Sequence, residues 1–313
     1  MQTKLQRFCA GPVHAQVMNN YQMLLPCASR NFGASEKELK ARMKSVTSIR
    51  KITKAMKMVA ASKMKGDLNR LQNGKQFGAN AVDMMFKTDL YMQRRTPDMP
   101  NAPKTLLVPI TSDKGMCGGV NSSIIKTVRD YVNSQPDRTK YSIFSIGDKG
   151  AVGLTRPCGD LMRVAVSDIS VPINYPTVMA ISEHIMAHGE GKDVIKVYYN
   201  EFKSAISTII RVMELMPRQR FLDVMKFGKL YNQTLPDKNT SNPALYELYV
   251  TSNMWRAMLD SAASEQSARM NAMENASKNA GEILEKLSIQ YNRARQARIT
   301  TELVEIISGA SAL

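Results

Sequence analysis

The feature that most restricts this chain is where its prolines are not. None lies between Pro26 and Pro97, and none follows Pro243 to the end at Leu313. A proline inside a helix removes a backbone hydrogen bond and clashes with the preceding turn, at about 3 kcal/mol. Two long proline-free flanks around a proline-punctuated centre therefore predict two long helices joined by a globular insert.

Both flanks carry helical patterning. The first opens with Ser35 and Glu38 at the spacing of a capping box. Its apolar residues Leu39, Met43, Val46, Ile49, Ile52, Met56 and Val59 recur in threes and fours, the stripe of an amphipathic helix. Lys40, Lys44, Lys51, Lys54 and Lys57 fall largely off it. The second opens with Asn242-Pro243, which reads as an N-cap followed by proline at the first helical position. Its stripe includes Trp255, Leu259, Ala262, Met273, Ala276, Ala280, Ile283, Leu287 and Ala294.

Length then decides the arrangement. As continuous helices, 36–92 and 244–313 rise about 85 and about 105 Å. A compact chain of 313 residues is only about 50 Å across. Such helices cannot be wrapped inside the domain, and a lone amphipathic stripe cannot hide itself. An antiparallel coiled coil of the two termini is predicted, with an Ala- and Met-rich seam that brings the backbones close. The alternative is a helical bundle broken at Gly66, Gly74 or Gly281.

The centre alternates strands with helices. Strands are predicted over 105–111, 141–146, 161–166 and 194–199, and helices over 121–133 and 178–187. That order indicates a parallel, Rossmann-like α/β sheet with crossovers on its faces. The expected organisation is a leader over 1–33, an N-terminal coiled-coil helix over 34–95, a central α/β domain over 96–242 and a C-terminal helix over 243–313. The leader reading rests on Lys4, Arg7 and Arg30 without an acid before Glu36, the composition of a mitochondrial transit peptide. A basic arm that is kept is the alternative.

No catalytic set, metal site or cofactor site is expected. The loop 111–121 is glycine-rich and lies between strand and helix, but it is neither GxGxxG nor GxxxxGK[ST], so a tight structural turn is favoured over a phosphate cradle. Cys117 reads as a small buried hydrophobe. His184 and His188 have the spacing of a metal pair without an evident third ligand. Charge is the remaining clue to partners. The net charge is +16, and residues 36–95 hold 15 basic against 5 acidic residues. A nucleic-acid partner is not expected, because that segment lacks base-stacking aromatics and its cations surround an apolar seam. No apolar run is long enough to span a membrane.

Three blocks carry a resemblance: Ile49 to Met64 on the first helix, the loop Ser112 to Gly118, and the C-terminal run Ser264 to Met270. The last continues through Ala276-Ser277 and Arg295-Gln296-Ala297 to Ile306–Ala310. From residue 36 onward the chain resembles the gamma-subunit family, the central stalk of F-type ATP synthases, in its mitochondrial form. The family's chloroplast members have an extra loop with a regulatory cysteine pair, and no such insert is evident here. The resemblance implies a non-catalytic rotor whose coiled coil turns inside a ring of alpha and beta subunits. Its α/β foot would rest on the small stalk subunits, delta and epsilon, and on the c-subunit rotor ring. It implies a peripheral position on the matrix side of the mitochondrial inner membrane.

Residue roles follow from the same resemblance. Arg295 and Gln296 match the pair that hydrogen-bonds a loop of one beta subunit. Lys54, Lys57 and Lys63 would face acidic beta-subunit surfaces, and Met56 sits at a rotor–stator contact. Ile306, Ile307, Ala310 and Leu313 would form an apical bearing in an apolar sleeve of the ring.

Overall fold

A computed structural model describes residues 35–74, 103–225 and 238–311. The expected leader, the continuation of the first helix through 75–95, and Leu313 lie outside the described residues. The elements in chain order are α1 (Glu36–Gly74), β1 (Thr105–Pro109), α2 (Val120–Asn133), β2 (Tyr141–Ile146), α3 (Asp148–Cys158), β3 (Met162–Val166), α4 (Tyr175–Gly189), β4 (Val194–Phe202), β5 (Thr208–Leu215), α5 (Arg218–Met225) and α6 (Lys238–Ser311).

The strands form one sheet in the order β3-β2-β1-β4-β5. β1 to β4 are mutually parallel, whereas β5 runs antiparallel to β4, Ile195 facing Leu215 and Phe202 facing Thr208. The sheet is thus mixed, where the sequence pointed to a parallel one. β5 escaped notice because it is an edge strand with one half-buried face and carries Arg211 and Glu214, so it has no apolar run. α3 escaped because Gly150, Gly153 and Pro157 interrupt its helical pattern.

Helices cover both faces. On one side Leu107, Ile143 and Tyr198 pack with Ile124, Val128 and Val132 of α2 and Leu154 of α3. On the other, Leu106, Val108, Phe144, Val197 and Tyr199 meet Val178 and Ile185 of α4, Phe221 of α5, and Tyr246, Val250 and Met254 of α6. Two-sided burial is why β1 and β2 read as unbroken apolar runs and not as alternating ones.

α6 starts at Lys238, not at an N-cap on Asn242, and Pro243 lies inside it. The proline stands little more than one turn into the helix, so its missing N–H costs one intrahelical bond near an end where several N–H groups lack carbonyl partners in any case.

Two compact units partition the chain, Met1–Thr47 with Glu282–Leu313, and Ser48–Gly281. In the first, Leu39 is buried and Met43, Val46, Leu287, Tyr291 and Ala294 are half-buried. There the Tyr291 hydroxyl donates to Glu36 Oε1 at 3.1 Å, and Arg298 meets Glu36 Oε2 at 2.8 Å. In the second, Thr53, Ala60, Asp67 and Leu71 of α1 are buried, as are Leu259, Ala263, Gln266, Met273 and Ala280 of α6. Leu71, Leu259 and Ala263 form one cluster, and Lys57 Nζ lies 3.1 Å from Glu274 Oε1. In the second unit the two helices run antiparallel, since Lys57 meets Glu274 and the later Leu71 meets the earlier Leu259.

The seam differs from the predicted stripe. Ile49, Ile52 and Val59 are 51%, 58% and 56% exposed, while Thr53, Ala60 and Asp67, seven residues apart, point inward. A sevenfold repeat is what a paired helix presents to its partner. Small and polar side chains occupy the repeat here, so apolarity alone pointed to the flank beside it.

Candidate partner-contact surfaces

The glycine-rich loop after β1 is closed by its own side chains. The Ser112 N–H donates to Asn121 Oδ1 at 3.1 Å, and Asn121 Nδ2 donates to Ser112 Oγ at 2.8 Å and approaches Cys117 Sγ at 3.2 Å. Ser112 Oγ in turn donates to the Lys114 carbonyl at 2.7 Å. Asp113 ties this loop to two others, accepting from the Asp148 N–H at 3.0 Å and the Ile169 N–H at 3.1 Å. Gly147 completes the junction at φ 93°, where a Cβ would stand 2.2 Å from the Thr111 carbonyl oxygen. The turn reading of the loop therefore fits its hydrogen bonds.

At the carboxyl ends of β1 and β4 this junction encloses a cavity of about 70 Å³, lined among others by Thr111, Asp113, Asn121, Asn200 and Glu265. Ligand pockets start near about 300 Å³, so the space suits a few waters and not a nucleotide. Cys117 is buried. His188 Nδ1 lies 2.8 Å from the His184 carbonyl oxygen and its ring packs edge to face with Phe144, while His184 is exposed. Among the described residues no group of three or more His, Cys, Asp or Glu side chains could hold a metal ion.

The C-terminal block reaches this junction from α6. Arg269 donates to Glu265 Oε1 at 2.6 Å and to the Lys114 and Gly115 carbonyls at 3.2 and 3.4 Å. Burial pushes the Glu265 carboxyl up in pKa, against the opposing pull of Arg269. On the adjoining face of α6, Ser264 Oγ donates to the Asn200 carbonyl at 3.0 Å, and Ser267 Oγ and Asn271 Nδ2 both donate to the Ala205 carbonyl, at 2.7 and 2.6 Å. Sequence reasoning singled out Ser264 to Met270 as a block but assigned these residues no role. Their signal was a run of polar residues interrupting an otherwise apolar helix face.

The expected contact residues are placed as follows. Lys54 and Lys63 are exposed, and Met56 is half-buried. Lys57 is held by Glu274 of the same chain and keeps the Glu274 carboxyl below its ordinary pKa. Arg295 and Gln296 are exposed, one turn before the end of the described pairing with Glu36 at Arg298. Every residue from 297 to 311 is exposed, including Ile299, Leu303, Val304, Ile306 and Ile307. Among the described residues these side chains are dispersed over helix surfaces.

In the second unit paired helices pack against an α/β body and display polar and apolar side chains on their outer surfaces. A family profile described as ATP synthase matches residues 35–313. The ATP synthase gamma chain of Pelagibacter ubique is 37% identical over 291 residues, 88% of this chain and 98% of the relative. The mitochondrial gamma subunit of Drosophila melanogaster is 34% identical, covering 95% and 99%. Among solved structures, the central stalk and c-ring of Tetrahymena thermophila mitochondrial ATP synthase aligns at TM-score 0.65 and 44% identity, over 72% of this chain and 99% of that one. A chain of the Euglena gracilis enzyme shares the fold at TM-score 0.74 and 18% identity, over 88% and 94%. The chain belongs to the gamma-subunit family of ATP synthase. That family supplies the non-catalytic central stalk of the F-type enzyme, and its mitochondrial members accord with a mitochondrial location for this chain.

Proposed function

We propose that this chain is a rotating shaft, turned by a c-subunit ring and forcing the beta-subunit catalytic sites through their states in sequence. The observation that carries the reading is the end of α6. Ile306 and Ile307 are 72% and 58% exposed, in a helix whose last charged side chain is Glu305. Apolar surface displayed in this way is favourable only when another surface covers it, and an apolar sleeve at the top of an alpha–beta ring suits Ile306, Ile307, Ala310 and Leu313 as a bearing.

The flanks of α1 explain how such a shaft sets three sites out of step. A partner that binds every conformation equally shifts none of them. α1 presents exposed Ile49, Ile52 and Val59, with Lys63, on one flank and exposed Lys51 and Lys54 on another. A ring of equivalent subunits therefore meets a different surface on each side. Apolar flanks favour one catalytic conformation and basic flanks another, and the coupling works in both directions between ATP and rotation. Arg295 and Gln296 are suited to engage a beta-subunit loop, Arg through a planar fork that can hold a carboxylate at two points. Met56 offers a soft apolar contact between rotor and stator.

The α/β domain, 96–242 in the proposed division, serves as the foot on the delta and epsilon subunits and the c ring. Residues 1–33 act as a transit peptide, delivering the chain to the matrix face of the inner membrane. In the assembled enzyme, Arg295→Ala with Gln296→Ala is expected to lower ATP turnover about tenfold or more while alpha, beta and this chain still co-purify. Parent-like turnover removes the proposed contact. Met56→Lys is expected to lower protons pumped per ATP, because a new cation pairs with beta carboxylates; unchanged pumping removes that role.

A further inference from the structure

We infer that Ser264, Glu265, Ser267, Arg269 and Asn271 form a torsional clamp, which locks α6 to the α/β domain so that turning force passes between them without slip. The inference rests on the shaft reading above and adds the residues that join shaft to foot.

The two stretches of α6 hold the domain by different physics. From Tyr246 to Leu259 the helix is held mainly by apolar burial, which is strong but non-directional, beside one long hydrogen bond from the Met216 N–H to Tyr249 Oη at 3.4 Å. A helix held only in that way resists removal better than it resists rotation about its own axis. From 264 to 271 the contacts change in kind. Four side chains donate to backbone carbonyls, at Asn200, at Ala205 twice, and at Lys114 and Gly115. Hydrogen bonds have a preferred direction and weaken steeply when bent, so they resist twist.

The placement supports the same purpose. Ser264, Ser267 and Asn271 are three and four residues apart and share one helix face, which meets the end of β4 and the β4–β5 hairpin. Glu265 and Arg269, four apart, pair on the next face, from which Arg269 reaches the β1–α2 loop. The helix is therefore gripped from two sides by loops at one end of the sheet. Among the described residues, Asn271 makes the outermost hydrogen bond between α6 and the domain. Bonding to carbonyls makes the grip independent of the loops' own side chains. Arg269 has a second requirement: Nη2 meets the Glu265 carboxylate and both carbonyls while Nη1 donates to Gln266 Oε1 at 3.1 Å, and one lysine nitrogen cannot occupy both places. Glu265 is a positioning residue that orients that fork.

The test uses the assembled complex, with the alpha–beta ring fixed to a surface and a bead attached to the domain through Val152→Cys on exposed α3. During a nucleotide-waiting pause, the angular spread of the bead reports the stiffness of everything between ring and foot. Ser264→Ala, Ser267→Ala and Arg269→Lys together are expected to widen the variance of that angle about twofold, since directional bonds are lost while packing stays. Unloaded ATP hydrolysis should stay within about twofold of the parent, because the beta-facing surfaces are untouched. A parent-like spread in the assembled variant overturns the clamp. If the triple variant does not assemble, Arg269→Lys and Ser267→Ala decide singly: a wider spread in either supports the clamp, and a parent-like spread in both overturns it. A parent complex whose bead never turns on ATP would overturn the shaft reading itself, a result distinct from either.

Discussion

The α/β body and the far end of α6 obey opposite rules within one chain. In the body, Leu106, Leu107, Val108, Phe144 and Met254 are fully or almost fully enclosed. At the end of α6, Leu303, Val304, Ile306 and Ile307 are all more than half exposed. Similar side chains thus hold the fold together in the body and stand exposed at the end of α6, where the proposed shaft would meet another protein. Stability and function are therefore separable along this helix.

The sharpest way to break that contrast is in the body. Gly147→Ala places a Cβ against the Thr111 carbonyl at a positive φ and is expected to cost about 3 kcal/mol or more, read by thermal melting of the full chain. Met254→Ala should cost about 2–5 kcal/mol by leaving a cavity. Leu303→Ala, by the same measurement, should stay within about 0.5 kcal/mol. A large loss at Leu303 in the free chain would mean the tip is packed, and would end the contrast.

Charge gives smaller and pH-dependent effects. Burial raises the Glu265 pKa, so the folded chain holds that proton more tightly than the unfolded one. Its contribution favours folding at pH below the ordinary carboxylate value and is lost as pH rises through the raised one. Glu265→Gln should remove this slope from a melting-temperature profile, and an unchanged slope would reassign it to another group. Lys57→Ala is the smallest expected effect. The Lys57–Glu274 pair is more than one third exposed on both sides, so solvent screens it and its loss should leave the melting temperature almost unchanged, the more so in high salt.

The sequence carried much of this architecture because local rules sufficed for it. Proline placement and a period of three and four residues marked α1 and most of α6, since a helix needs only its own backbone and one apolar side. The unbroken apolar runs at β1, β2 and β4 were legible because strands covered on both faces have no polar side to display. The proposed contact residues Arg295 and Gln296 were visible only through family resemblance. On their own they read as solvated charge, because recognition of another chain leaves no periodicity.

What the sequence by itself determined was therefore the helical ends, the α/β centre and the absence of any recognisable catalytic motif. Only the tertiary structure decided which side of α1 faces its partner, because Thr53 and Asp67 fill the seam while Ile52 and Val59 do not. It also decided that β5 closes the sheet antiparallel and that Ser264 to Asn271 grip the loops of the domain. Those outcomes depend on contacts between residues that stand 155 and even 255 positions apart. A one-dimensional pattern reports what a segment prefers, and distant contacts settle which preference prevails.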